Sequence, residues 1–301
     1  MTAHTANRPA VLAGTLWPTP PGALHVRPLP RESAATYLTR LATAYHLSPA
    51  HLLDGLHITA TGTPAAPPAT ESHLINEATR RLSHFTRIPP AHLARALPPR
   101  PPPAAIGMAG TATARWQPVQ PALQPLPACT ACTIRRSPHQ AHPAWIHPAP
   151  DLPRIMICTR HQQAASDPTP LDIRPVPELT RTHLRARRRP TATSLTWAST
   201  ITTRWYDHHQ HLHQRWHTRL GRLTAANPHL PQGPASPTLT SRNLITHPET
   251  LTLATALDHL PPHPLTHTQQ SAFLHDLAGR LHLPRLAPAD HDLLWQRLHA
   301  R

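Results

Sequence analysis

Every cysteine in this chain falls into one of two short pairs, Cys129-Thr-Ala-Cys132 and Cys158-Thr-Arg-His161. Two ligand pairs, each with two intervening residues, can curl into knuckles that present four donors to one tetrahedral Zn²⁺. The gap from Thr133 to Ile157 holds 25 residues, enough for a small ribbon between the knuckles. Three thiolates and one imidazole fill all four positions, so the expected metal is structural, with no vacancy for water or substrate. The competing reading is three free cysteines beside one of 27 histidines. If the pairs converge, metal binding is linked to folding, by about 10 kcal/mol in small zinc modules.

Charge narrows the choice of partner. The 301 residues carry a formal net charge of +15, with 29 Lys+Arg against 14 Asp+Glu, and every one of the 29 is arginine. Codon bias toward GC accounts for Arg in place of Lys, but not for its excess over carboxylates. Nucleic acid is the first candidate partner, because phosphate neutralisation supplies affinity without sequence readout. The histidines add charge in mild acid, since free imidazole titrates near pH 6.5. The length predicts two or three small domains rather than one large core. No apolar run reaches the roughly 18 residues of a membrane span, and no basic stretch followed by an apolar core marks a secretory signal. Cysteines arranged as ligands fit a reducing cytoplasm, which is the expected location.

Residues 1–27 are proline-rich and read as a flexible leader. Order is predicted to begin near Pro28-Leu-Pro-Arg-Glu-Ser33, after which Leu38, Leu41, Ala42 and Tyr45 recur at helical spacing. Ser48-Pro49 restarts a helix carrying Leu52, Leu53 and Leu56, because Ser caps and Pro fits the first turn. The same pattern returns 41 positions later: Arg40 and Leu41 match Arg81 and Leu82, and Pro49-Ala-His-Leu52 matches Pro90-Ala-His-Leu93. Residues 28–105 therefore read as a helical domain of duplicated helix-turn-helix-like pairs, with a proline-rich joint from Thr61 to Thr70 and a spacer from Pro98 to Ala105. Two ordinary helical hairpins in a biased composition are the alternative. Residues 106–175 form the zinc-ribbon segment, with Ile155-Met-Ile157 as a strand and Trp145-Ile146 as its pairing partner. Residues 176–301 read as helical, with a long stripe from Leu195 to Leu223 and further helices at Pro248–Leu260, Thr266–Leu281 and Pro288–His299. The fold class is mainly α, with helix-turn-helix-like units, a small inserted zinc ribbon and a helical C-terminal region.

The run Pro28-Leu-Pro-Arg-Glu-Ser-Ala-Ala-Thr-Tyr-Leu-Thr-Arg-Leu-Ala42 resembles the opening of the TniQ family, and the ordered ligands Cys129, Cys132, Cys158 and His161 resemble its C-x-x-C and Cys-Pro-x-His pairs. The likeness covers roughly residues 28 to 162. The tail around Asn243-Leu-Ile-Thr-His-Pro-Glu249 is similar to that of standalone actinobacterial members. Here Thr130 and Thr159 stand in place of the knuckle prolines, and Gln162 stands where glycine often follows the histidine. The resemblance implies a transposition-targeting protein that combines helix-turn-helix and zinc-binding elements, has no catalytic centre, and helps direct a transposase and its ATPase to a target.

Motifs for catalysis are missing from the sequence: there is no H-E-x-x-H, no Walker loop, no G-x-S-x-G and no Gly-rich dinucleotide turn. Glu178 and Asp151 are acids near the metal pairs in sequence, with no supporting pattern, so no enzyme is expected. Arg181, Arg185, Arg187, Arg188 and Arg189 form a basic run that could lie along a nucleic-acid backbone, or else a solvated linker. His208, His209, His211, His213 and His217 read as a solvated helix face, with metal pairs such as His209 and His213 as the alternative. Trp197, Trp205 and Trp216 read as core. The expected function is a non-enzymatic DNA-binding adaptor that recruits transposition proteins, among them a transposase-associated ATPase, with a homodimer allowed. A DNA-binding transcriptional regulator, or a scaffold for an acidic protein, could be built from the same parts.

Overall fold

Two serines start the N-terminal helices. In the computed structural model, which describes residues 22–63, 67–97, 112–137, 143–148, 155–165, 170–185, 190–208, 210–229, 242–261, 265–286 and 294, Ser33 caps α1 (Ala34–Ala44) by accepting from the Thr36 N–H. Ser48 caps α2 (Pro49–Gly55), whose first turn holds Pro49. A second pair follows as α3 (Asn76–Thr86) and α4 (Pro90–Ala96). The pairs have equal helix lengths, 11 and 7 residues. Leu41 and Leu82 are buried, as are Leu52 and Leu93, and Leu56 and Leu97.

Between and after these pairs lie strands that the sequence reading did not foresee. β1 (Thr59–Thr61), β2 (Thr70–Leu74) and β3 (Thr113–Pro118) form a sheet in the order β1-β3-β2, with β1 parallel and β2 antiparallel to β3. The stretch expected as a plain proline-rich joint thus carries a strand at each end. Gly62 follows β1 with φ +80, and a Cβ there would fall 2.4 Å from the Trp116 carbonyl oxygen, so only glycine fits this turn.

The opening motif works through buried polar contacts. Glu32 accepts from Arg40 Nε (2.8 Å) and Nη2 (2.7 Å) and from the Leu29 N–H (2.7 Å), with both side chains fully buried. Burial pushes the Glu32 carboxyl up, and Arg40 pulls it the other way. Glu71 on β2 accepts from the Ser33 hydroxyl and the Ala35 N–H (both 3.1 Å), placing a carboxylate at the start of α1. Tyr37 donates its hydroxyl to the Val26 carbonyl (3.0 Å). Residues 22–27, part of the segment read as a leader, are packed: Val26 is buried and the Leu24 N–H donates to Tyr45 Oη (2.8 Å).

The described residues divide into two compact units, one within Met1–Gln124 and Arg136–His142, the other within Pro125–Arg135 and Pro143–Arg301. The second contains the short strands β4 (Leu126–Pro127), β5 (Trp145–Ile146), β6 (Ile157–Cys158), β7 (Gln163–Ala164) and β8 (Leu171–Asp172). Its helices are α6 (Pro177–Arg185), α7 (Ala192–His208), α8 (Gln210–Ala226), α9 (Arg242–Asp258) and α10 (His267–Arg280); α5 (Thr130–Arg136) begins in it. Trp145-Ile146 does not pair with the strand before Cys158. It pairs with β4, while β6 pairs with β7. Backbone donors near Cys158 are met by a local hairpin, which is entropically easier to close than a distant strand.

The long stripe from Leu195 to Leu223 is divided between α7 and α8, and Leu195, Ile201, Trp205, Leu212, Trp216 and Leu223 line the core. α9 starts at Arg242, six residues before the expected start, and contains Pro248 in its interior. Its Glu249 is buried and accepts from Trp216 Nε1 (3.1 Å) and from Arg219 Nη1 (2.9 Å) and Nη2 (3.1 Å). A capping box at Thr266 and Gln269 starts α10. The helix expected at Pro288–His299 lies outside the described residues, apart from Leu294. With ten α-helices and only short strands among the described residues, the protein is mainly α.

Candidate metal centre

Two local devices aim the four ligands. β4 pairs with β5 in the register Leu126↔Ile146, and the Ala128 N–H donates to the Ala144 carbonyl (2.8 Å), which fixes the approach to Cys129. α5 begins at the next residue, and the Thr133 N–H donates to the Cys129 carbonyl (3.0 Å). Cys129 and Cys132 are therefore three apart on one helical turn and share a face. The second device is the β6–β7 hairpin, which sets Cys158 opposite Gln163 and holds His161 in the turn between them. β8 completes this sheet in the order β6-β7-β8. Asn227, after α8, clasps β8 by accepting from the Asp172 N–H (2.8 Å) and donating to the Asp172 carbonyl (3.1 Å).

The two knuckles converge. One donor atom from each of Cys129, Cys132, Cys158 and His161 lies within 4.8 Å of all the others. His161 presents Nδ1 to all three sulfurs, at 3.4 Å from Cys129, 3.3 Å from Cys132 and 3.5 Å from Cys158. The Cys132 and Cys158 sulfurs are 3.7 Å apart, too far for a disulfide. A tetrahedral Zn²⁺ with bonds of about 2.3 Å to sulfur and about 2.0 Å to nitrogen sets sulfurs roughly 3.8 Å apart and sulfur–nitrogen edges of roughly 3.5 Å. The donor set fits such an ion closely, and a shell of four protein atoms leaves no open position.

Each ligand is half-buried. Burial pushes the Cys129 thiol up, and it pushes Cys132 up to about 12, with negative charge on Cys129 and Cys158 adding to the effect. Without a cation the Cys129 and Cys132 thiols therefore stay protonated at neutral pH. Gln163 is a contact that sequence spacing did not suggest: its side-chain Oε1 lies 3.0 Å from Cys129 Sγ. A thiol donates to that oxygen. A thiolate accepts instead, and the amide would then turn its N–H₂ toward sulfur. Gln162 adopts φ 50, the left-handed conformation that glycine takes at least cost.

The other expected site residues fall elsewhere. Arg181 and Arg185 are exposed on α6, while Arg187, Arg188 and Arg189 lie outside the described residues. Glu178 pairs with Arg219 (3.4 Å), and Asp151 is outside the described residues. His213 and His217 are exposed on α8 with ring centroids 4.0 Å apart; the side chains of His208, His209 and His211 are not among those described.

The ligand set lies inside a segment of known kind: residues 23–164 match the TniQ family model. This segment is similar to a TniQ domain. The match covers just under half of the 301 residues, and a TniQ domain marks a protein associated with transposition as an adaptor working with other proteins and DNA. No curated protein and no solved structure matches the chain. Among the described residues no helix is long and apolar enough to cross a membrane.

Proposed function

We propose that this protein is a non-enzymatic, DNA-binding targeting adaptor in transposition, with a fold braced by one structural Zn²⁺ on Cys129, Cys132, Cys158 and His161. The observation that carries the reading is the closed four-donor cluster inside the TniQ segment. An ion there would cross-link α5 to the β6–β7 hairpin and have no position free for chemistry. The net charge of +15 supports a polyanionic partner, and Arg181 and Arg185 on α6, with Arg187, Arg188 and Arg189, are offered as one set of backbone contacts. Its protein partners would be a transposase-associated ATPase or other transposition proteins, met in the cytoplasm.

Elemental analysis of the purified chain is expected to return about one zinc per chain, and Cys129→Ser or Cys158→Ser to lose it together with solubility. Soluble wild-type protein without stoichiometric metal would remove the zinc from this reading. Mobility shifts over a salt series test the rest. Binding with steep salt dependence and little sequence preference supports the adaptor, whereas a preferred operator would make the chain a transcriptional regulator. No shift at any salt would leave a scaffold for an acidic protein.

A further inference from the structure

Four arginines line one cleft in the first unit. It has a volume of about 580 Å³, and Arg27, Arg87, Arg95 and Arg136 line it together with His92 and Ile88. That volume lies inside the range of built ligand sites, about 300–1,000 Å³. No carboxylate lines the cleft, and among the described residues none of the four arginines is in a carboxylate salt bridge. Glu32 attracts Arg136 from within the core, but its oxygens already accept from Arg40 and the Leu29 N–H.

The walls are held in place by contacts that leave most of the positive charge facing outward. The Arg27 N–H donates to the Arg136 carbonyl (3.0 Å), and Arg136 Nη1 donates to the Pro28 carbonyl (3.1 Å). Arg87 occupies a left-handed position at the end of α3, φ 57, and the Ser83 hydroxyl pins the following residue through the Ile88 carbonyl (2.6 Å). His92 and Arg95 are three apart on α4 and share a face. Arg27, Arg87, Arg95 and Arg136 are all exposed.

We propose that this cleft seats the phosphate backbone of nucleic acid. Guanidinium forks match phosphate oxygens bidentately, and an anion between them relieves their mutual repulsion. No Trp, Tyr or Phe lines the cleft. It therefore has neither a platform for stacking bases nor the aromatic anchor typical of a protein interface, which favours sequence-independent backbone contact. The site rests on the adaptor reading for its choice of polyanion, and its arginines are other residues than those of the basic run at Arg181 to Arg189.

The test titrates full-length protein with a fluorescent DNA duplex of mixed sequence across a salt series, comparing wild type with Arg87→Gln/Arg95→Gln. Removing two phosphate contacts should make the slope of log K against log salt shallower by about 1.8 and weaken binding roughly tenfold near physiological salt. Arg27→Gln/Arg95→Gln leaves the Arg87 position alone, carries the same expectation, and serves if the first variant melts below the wild type. Wild-type binding that the variants leave unchanged overturns the cleft while the DNA-binding reading stands. Absence of wild-type binding at every salt overturns both. A polyglutamate peptide that binds wild type but not the variants, with DNA binding unaffected, assigns the cleft to an acidic protein and also overturns the proposal.

Discussion

His161 Nδ1 sits at nearly equal distances from three sulfurs, a spacing that suits one shared cation. Because burial raises the Cys129 and Cys132 thiols, a metal ion must displace protons to bind. Lowering the pH favours the protonated thiols further, so zinc affinity is expected to fall steadily from pH 8 to pH 6. A competition assay with a chromophoric chelator would read this directly, and a flat profile would argue that the thiols are already ionised in the metal-free protein. The clustering of Cys129, Cys132, Cys158 and His161 was legible in the sequence because cysteine is scarce and C-x-x-C spacing has few other uses. Gln163 was not legible: its place beside Cys129 follows from hairpin register, which no local pattern encodes. The arginines of the basic cleft were equally hidden, since they come from three separated stretches.

Helix starts were easier to read than helix ends. Ser33, Ser48 and Thr266 cap their helices through side-chain oxygens, and those residue types announce the role. The ends carry no such mark. His46, His57, Arg87 and His282 occupy left-handed positions just past α1, α2, α3 and α10, where glycine is the usual signal. A chain with only 9 glycines hides its helix termini in this way. Strands of two or three residues, such as β5 and β7, are too short for alternation to show, and the partner expected for β5 was the wrong one. The buried Arg40–Glu32 pair ties α1 to the residue before its cap and is sensitive to mutation. Arg40→Ala strands a buried carboxylate and is expected to cost about 3–5 kcal/mol in chemical denaturation. A loss below about 1 kcal/mol would mean that water reaches Glu32.

At the scale of the molecule, the mainly α reading and the convergence of the metal ligands agree with the structure, while the mixed sheet around β3 was absent from the expectation. Each unit has its own buried cluster, one around Leu38, Leu41 and Leu82, the other around Trp205, Trp216 and Leu253. Removing metal should therefore act locally. Hydrogen exchange after chelation is expected to accelerate in β6, β7 and the start of α5, while amides of α1 and α3 keep their protection; uniform loss would show that both clusters depend on the ion. The sheet has a consequence for synthesis. β3 pairs with both β1 and β2, yet it is made last. A growing polypeptide that has emerged only as far as Leu97 holds two outer strands without the one that belongs between them. Until the ribosome delivers Pro118, those edges are open to neighbouring nascent chains, and a premature stop in that interval would release an aggregation-prone fragment rather than a smaller folded protein.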